Sequence, residues 1–416
     1  MILRTVAYRL PEIPANVSRG FDGAAEVRAG RRLYIRPLLI GRIVLADRER
    51  PDLSGLARIA DPERFVWAIL PHAARTFSTC IAMLPARSAL PAAVAYLYCR
   101  MLDTYEDLVA DRSQREAQLA AFAARFARHE ASLEFLRAPP IDTATDRDER
   151  DRAHLLLVER ADLVDRVFLT FDNETRSIIA DLVRDMAEGM RWSSATFAAQ
   201  GGVLDGEEQL ATYCSHVLGN PVLFMMRLLR LGNGAAATVG ADDRERALHV
   251  GELVQLANVT RDVEKDLRRG ISYDASLRAD LGRDVHGDNQ AMERVRVVRE
   301  RLLRTALRRA PSYGNLVEAL RLPGLSLARA AAVMMLLFTE QYYRGCARRV
   351  GLPAWHGPDT AAAIILRGLL AAASRRRARR EIARVERAFL ACARASEPSP
   401  AAPRRLPHPG QETGDP

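Results

Sequence analysis

Lysine is almost missing from this chain: all but one of its 61 basic residues are arginine, the exception being Lys265. The net charge of +9 is spread along segments where arginine alternates with aspartate and glutamate, and no nucleic-acid-binding motif is present. A solvated mixed-charge surface is therefore expected, with no nucleic acid as partner. Cysteine is scarce. Cys80, Cys99, Cys214, Cys346 and Cys392 are scattered with no C-x-x-C spacing, which argues against a disulfide framework and points to a reducing compartment. No signal peptide is evident, and no apolar run approaches the ~20 residues that span a bilayer. The nearest, residues 361–373, is interrupted by Arg367. A cytoplasmic protein is expected. Alternating strand patterns and Asn-Gly hairpin signals are lacking apart from a weak stretch at residues 32–36, and aromatics are only 6% of the chain. What remains is long alanine-, leucine- and arginine-rich sequence of helical period, so the fold class is read as all-α.

Residues 1–60 carry four prolines and no sustained period, and are read as an irregular extension. Helical texture begins at Asp61-Pro62-Glu63-Arg64, an N-cap followed by proline in the first helical position. It runs over 65–84 and 90–108, then 154–199, 205–231, 242–268, 288–309 and 325–350, with a loop at 137–152. The catalytic domain is drawn as 61–350. The C-terminal helices, 351–395, include residues 375–392, which place Ala378, Ile382, Val385 and Phe389 on one face and arginines around the rest. Such a helix packs on its own protein or rests on an anionic membrane, so peripheral membrane contact is kept open. Residues 396–416 are polar and proline-rich, and are expected to be disordered.

Two acidic clusters stand about 160 residues apart, each within a helical segment. Asp103 and Asp107 are four apart, as are Asp262 and Asp266, so each pair shares one helix face. Like charges at that spacing destabilise an isolated helix by a few tenths of a kcal/mol, and each cluster continues an apolar stretch, where carboxylates need a cation. Facing carboxylate pairs suit Mg²⁺, which takes few protein ligands and completes its shell with water and substrate phosphates. Arginines flank both clusters: Arg100 before the first, and Arg261, Arg268 and Arg269 around the second. Guanidinium groups grip phosphate oxygens in pairs. Asn258 adds a neutral oxygen four residues before Asp262. The pattern predicts a diphosphate held through magnesium between two helices. A diphosphate leaving an allylic carbon also calls for an apolar, water-free pocket around the cation it leaves behind.

At these residues the chain resembles the squalene/phytoene synthase family, nearest to its bacterial squalene synthases. Arg75-Thr76-Phe77 and then Tyr96 to Asp107, ending Asp103-Thr104-Tyr105-Glu106-Asp107, are similar to the family's S-R-[ST]-F and first D-T-x-E-D segments. Gln255-Leu256-Ala257-Asn258-Val259-Thr260-Arg261-Asp262, running to Asp266 and Gly270, is similar to its Q-x-x-N-x-x-R-D-x-x-E-D-x-x-x-G. Between them lie counterparts of its G-M and Y-C-x-x-V-A-G segments, at Gly189-Met190 and Tyr213 to Gly219. The five patches keep one order over roughly residues 65–350. The resemblance implies a single isoprenoid-synthase helical bundle with a central cavity. It also implies head-to-head joining of two prenyl diphosphates, farnesyl diphosphate in the first instance, followed in squalene synthases by reduction with NADPH. By the same carry-over, Asp103, Glu106, Asp107, Asp262 and Asp266 would hold Mg²⁺ and diphosphate. Arg75, Arg100, Arg261 and Arg269 would bind phosphate, with Gln255 and Asn258 alongside. Phe77 and Tyr96 would face the cation, and Tyr213 would move a proton or stabilise charge.

Four positions depart from the family pattern. Lys265 stands where an acid is expected, beside the metals or in direct contact with phosphate, and Glu264 lies about 200° from Asp266 on a helical wheel. Ala74 replaces a serine. Asn220-Pro221 should kink a helix. Gly270-Ile271-Ser272-Tyr273-Asp274 lacks the usual proline. An altered second motif leaves an alternative open, transfer of one prenyl group to a non-isoprenoid, aromatic acceptor.

Overall fold

A computed structural model describes residues 39–43, 46–47, 50–74, 76–126, 138–141 and 147–396. The strand-like stretch at 32–36, Arg75 and the tail beyond Ser396 lie outside them. Within them the chain is helical, with no strand beyond an isolated bridge between Val203 and Ser272. The elements are α1 (Leu53–Ala57), α2 (Pro62–Ala74), α3 (Thr76–Ala82), α4 (Ala86–Leu108), α5 (Arg112–Ala124), α6 (Glu149–Glu159), α7 (Ala161–Phe168), α8 (Asn173–Ala199) and α9 (Gly206–Cys214). After a π turn (Ser215–Gly219) come α10 (Asn220–Gly232), α11 (Ala241–Arg268), α12 (Asn289–Arg308), α13 (Ala310–Ala319), α14 (Leu327–Arg349), α15 (Ala361–Ala373) and α16 (Arg375–Ala395).

Helix starts follow their caps. Asp61 accepts the Arg64 N–H at 2.7 Å ahead of Pro62. Asp172, Asp288 and Ser374 likewise accept from Thr175, Ala291 and Arg377. Each such cap satisfies a donor that the helix itself cannot, typically worth about 1 kcal/mol. The expected helix at 154–199 is accordingly three, because Arg160 leaves helical geometry and Asp172 restarts the chain. The helix expected from residue 90 instead starts at Ala86 and runs through Pro91. Pro91, lacking an N–H, leaves the Arg87 carbonyl without its regular helical donor, and the helix continues past it.

At Pro221 the structure replaces the expected kink with a wider turn. The Asn220 N–H reaches back five residues to the Ser215 carbonyl, while Gly219 and Asn220 keep helical dihedrals. Proline has no N–H to continue the regular ladder, so the extra residue is absorbed immediately upstream of it. This turn packs on α11 backbone to backbone: a Cβ added at Gly251 would lie 2.4 Å from the Gly219 Cα. The close approach fixes α9 against the middle of α11.

Helices α4, α8, α10 and α11 surround the centre, and α13 and α14 close one end. All five cysteines are free and buried, which fits their reading as small hydrophobes. The face of α16 named above is buried: Ala378, Ile382, Val385 and Phe389 are at most 5% exposed, against α12, α13, α14 and α15. A membrane contact through that face would require unpacking the core. No helix among the described residues is long and apolar enough to cross a membrane.

Candidate active site

The centre of the bundle encloses a chamber of about 310 Å³, within the range of small-molecule sites. Its wall is apolar over most of its length, with Ile81, Leu182, Phe224, Val254 and Met335 from five different helices. Polar side chains enter from α4, with Arg100 and Asp103, and from α11, with Gln255 and Asn258. Phe77 and Tyr96 flank them with ring centroids 5.7 Å apart.

Arg100 ties this group together. It donates to the Tyr96 hydroxyl at 3.1 Å and pairs with Asp103 at 3.1 Å. Burial nevertheless dominates at Asp103, and the neighbouring Asp107 adds to it, pushing the carboxyl up to about 6. Glu106 is pushed up to about 8 by burial and then by Asp103 and Asp107. On α11, Asp266 is pushed up to about 7 by burial and by Asp262. Asp107 reaches across to Arg269, just beyond α11, at 2.5 Å, so one ion pair spans the two acidic segments. Asp262 is held by both ends of the adjacent Arg261 guanidinium, at 2.7 and 2.5 Å, and Arg261 also lies 5.3 Å from the Tyr342 ring centroid. Lys265 is exposed on the same helix, near enough to Asp266 for its charge to act on that carboxylate. Glu264 points away altogether, paired with the buried Arg299, so it does not stand in for the missing acid.

Tyr213 sits one hydrogen bond from the chamber. Gln255 donates to its hydroxyl at 3.4 Å and accepts from Asn258 at 3.2 Å. Its second partner, Tyr273, was not among the expected site residues: the two hydroxyls are 3.0 Å apart and the ring centroids 4.8 Å. Burial raises the Tyr213 phenol, with Glu106 next in effect. It raises Tyr273 as well, with Tyr213 next. Tyr273 is positioned by a long-range pairing. Leu204 N–H donates to the Ser272 carbonyl and Ser272 N–H to that of Gly202. Gly202 has φ +88° and its hydrogen faces the Gly270 carbonyl, where a Cβ would stand at 2.4 Å. The one sequence signal for this residue was negative, the absence of proline after the second motif.

His154, on α6, is a buried neighbour of Arg100 that sequence reasoning also passed over. Burial and the Arg100 charge hold it down to about 3, against an ordinary 6.5. A depressed histidine is neutral in the fold and protonates readily once unfolded. Its contribution is thus fully present above pH 6.5 and erodes as pH falls towards 3, by up to about 1.4 kcal/mol per pH unit. His154→Gln is expected to flatten the decline in melting temperature between those values; an unchanged pH profile would show that another group controls it.

Among the described residues no three His, Cys, Asp or Glu side chains converge closely enough to form a metal cage on their own. The site instead offers oxygen donors from two helices with arginines between them.

Two curated relatives come from Botryococcus braunii. Lycopaoctaene synthase is 28% identical over 211 residues, half of this chain and 43% of its own length. Squalene synthase BSS is 27% identical over 218 residues, 52% of this chain and 43% of its own. The chain thus matches under half the length of these relatives. The solved structure of TcSQS with the ligand BPH1237 superposes with a TM-score of 0.62 at 17% identity, covering 82% of this chain and 94% of the other. The family model for squalene/phytoene synthase matches residues 70–353, the span that contains both acidic helices, the tyrosine pair and the chamber. The chain belongs to the squalene/phytoene synthase family.

Proposed function

We propose that the chain joins two prenyl diphosphates head to head, with farnesyl diphosphate as substrate and squalene or a close relative as product. The observation that supports this reading is the division of the chamber. Arg100 and Asp103 from α4 and the amides of Gln255 and Asn258 from α11 supply its polar lining, and apolar side chains line the rest, while Asp107 on α4 pairs with Arg269 just beyond α11. Family membership of the chain supports prenyl transfer as the reaction class.

Asp103, Glu106, Asp107, Asp262 and Asp266 would hold magnesium. The donor set is all oxygen, as that ion requires. Burial and mutual repulsion leave Asp103, Glu106 and Asp266 short of positive charge, a deficit that a divalent cation fills. When bound, the metal neutralises the diphosphate and makes it a better leaving group.

The protein's own groups do the rest. Arg100, Arg261 and Arg269, with Arg75 by family likeness, bind diphosphate oxygens in place of the carboxylates that Arg100, Arg261 and Arg269 now grip. Phe77 and Tyr96 offer ring faces to an allylic cation, worth about 0.5–2 kcal/mol each. The apolar wall keeps water from quenching it. Because burial raises its phenol, Tyr213 remains protonated at neutral pH and acts as a donor, oriented by Gln255 and Tyr273.

Incubating the protein with Mg²⁺ and farnesyl diphosphate, with and without NADPH, and identifying the lipid tests the reading. A coupled thirty-carbon product is expected, and its dependence on NADPH tells whether the chain completes the reduction. Farnesol alone, or, in a parallel incubation with an aromatic acceptor added, a product prenylated on that acceptor in place of the coupled one, would overturn it. Lys265→Glu adds a discriminating measurement. With farnesyl diphosphate it should keep or raise turnover, since an acid fits the family pattern at that position. A loss of tenfold or more, about 1.4 kcal/mol, would mean the ammonium itself binds substrate.

A further inference from the structure

The largest exposed hydrophobic side chains of the described residues include four leucines around one corner of the molecule. On α15, Leu366, Leu369 and Leu370 are 58, 43 and 42% exposed, and Ala373 is exposed beyond them. These positions follow the i, i+3, i+4, i+7 spacing of a single helix face. The opposite face, with Ile364, Gly368 and Ala371, packs on α14, where Met334 seats against Gly368. At the C-terminal end of this stripe lies the loop between α13 and α14, whose Leu325 is 75% exposed.

The corner is built rather than loose. Ser326 N–H donates to the Ala372 carbonyl at 3.0 Å. The buried Arg329 reaches the Gly324 carbonyl at 2.9 Å and that of Ala372 at 3.2 Å. Arg375 donates to the Leu322 carbonyl at 2.6 Å. Leu325 is therefore held out beside the end of the α15 stripe.

Charge at this corner is predominantly positive. Arg375, Arg376, Arg377, Arg379 and Arg380 open α16 and are exposed, as is Arg321 in the loop. The carboxylates among them are paired: Glu318 with Arg379 at 2.5 and 2.7 Å, and Glu381 with Arg367 and Arg384 at 2.8 Å each. Arginines at the start of a helix also oppose its dipole, so local helix stability does not account for them.

We propose that this corner docks on the surface of an anionic lipid bilayer, with the α15 leucines and Leu325 entering the interface and the arginines of α16 meeting the headgroups. Exposed leucines beside a dense arginine cluster suit such a surface: apolar area supplies insertion, and each basic residue adds attraction to anionic lipid. The contact uses a face that the core leaves free, unlike the buried face of α16. It also lies close to the chamber, since Leu320 and Ala328, on either side of the Leu325 loop, line its wall. The docking surface does not depend on the proposed reaction, although an apolar product would gain a short route to lipid.

The test is co-sedimentation of the full chain with vesicles of phosphatidylcholine alone and of phosphatidylcholine with one third phosphatidylglycerol. Binding to the anionic vesicles is expected, with little to the neutral ones. Two variants are compared with it: Leu366→Ser/Leu369→Ser/Leu370→Ser and Arg376→Glu/Arg377→Glu/Arg380→Glu. All six residues are exposed or carry no described packing role, so circular dichroism should be unchanged, and each variant should lose at least about tenfold in vesicle affinity. Absence of binding to anionic vesicles, or binding that neither variant weakens, would overturn the proposal. So would a dimer in light scattering that the leucine variant disperses without any change in vesicle binding, which would assign the face to a second copy.

Discussion

Asp266→Asn is expected to abolish turnover while raising the melting temperature, measured without divalent metal. The two effects share a cause. Asp266 is buried beside Asp262 on α11, and its charged form is disfavoured enough to lift the carboxyl to about 7. A neutral amide of the same shape removes that penalty. The charge that burdens the empty fold is the one proposed to hold magnesium, whose stabilisation of a leaving group is worth several kcal/mol. Asp103→Asn should behave alike, its carboxyl standing at about 6, although it also gives up the ion pair with Arg100. Turnover above about a tenth of wild type, a loss under ~1.4 kcal/mol, would remove that residue from the metal set. A fall in melting temperature with intact turnover would make it a structural carboxylate.

The second large effect is expected at Tyr213→Phe. Its hydroxyl joins Tyr273 and Gln255, so truncation leaves two buried polar groups short of a partner and lowers stability by about 1 kcal/mol. If the hydroxyl donates to charge or moves a proton during reaction, single-turnover rate should fall by about 10²-fold or more, with substrate binding little altered. Tyr273→Phe isolates the orienting role: it keeps the Tyr213 hydroxyl and removes its neighbour, so a smaller loss of rate is expected. A stability loss with unchanged rate per folded molecule would leave the reaction to the metals and arginines.

Much of this site could be read from local spacing. Four-residue intervals put Asp103 with Asp107 and Asp262 with Asp266 on single faces, and Asp61 announced the helix it caps. The 200° offset of Glu264 correctly excluded it, because the helix turns that carboxylate to Arg299. What escaped was set by contacts between distant segments. Tyr273 has no periodic neighbour; it reaches Tyr213 through the pairing of residues 202–204 with 272. The α15 leucines were visible as an apolar run, but sequence does not tell which side of a hydrophobic helix a neighbour will cover. Pro221 marked a disturbance, yet its form depended on the close approach of Gly219 to Gly251.

That disturbance has a consequence for how relatives are compared. A π turn holds one residue more than a regular helix would use, so side chains before and after it are out of phase by about 100°. Tyr213 looks towards Gln255 and Tyr273 while Pro221, Val222 and Met225 look into the chamber, and this pairing of directions depends on how many residues lie between them. Shortening the Ser215–Gly219 segment by one residue would let the helix anneal and swing the tyrosine away, with every chemical group still present. Across this stretch, residue count sets the direction of Tyr213 relative to the chamber wall, and a gap of one in an alignment outweighs several mismatched letters.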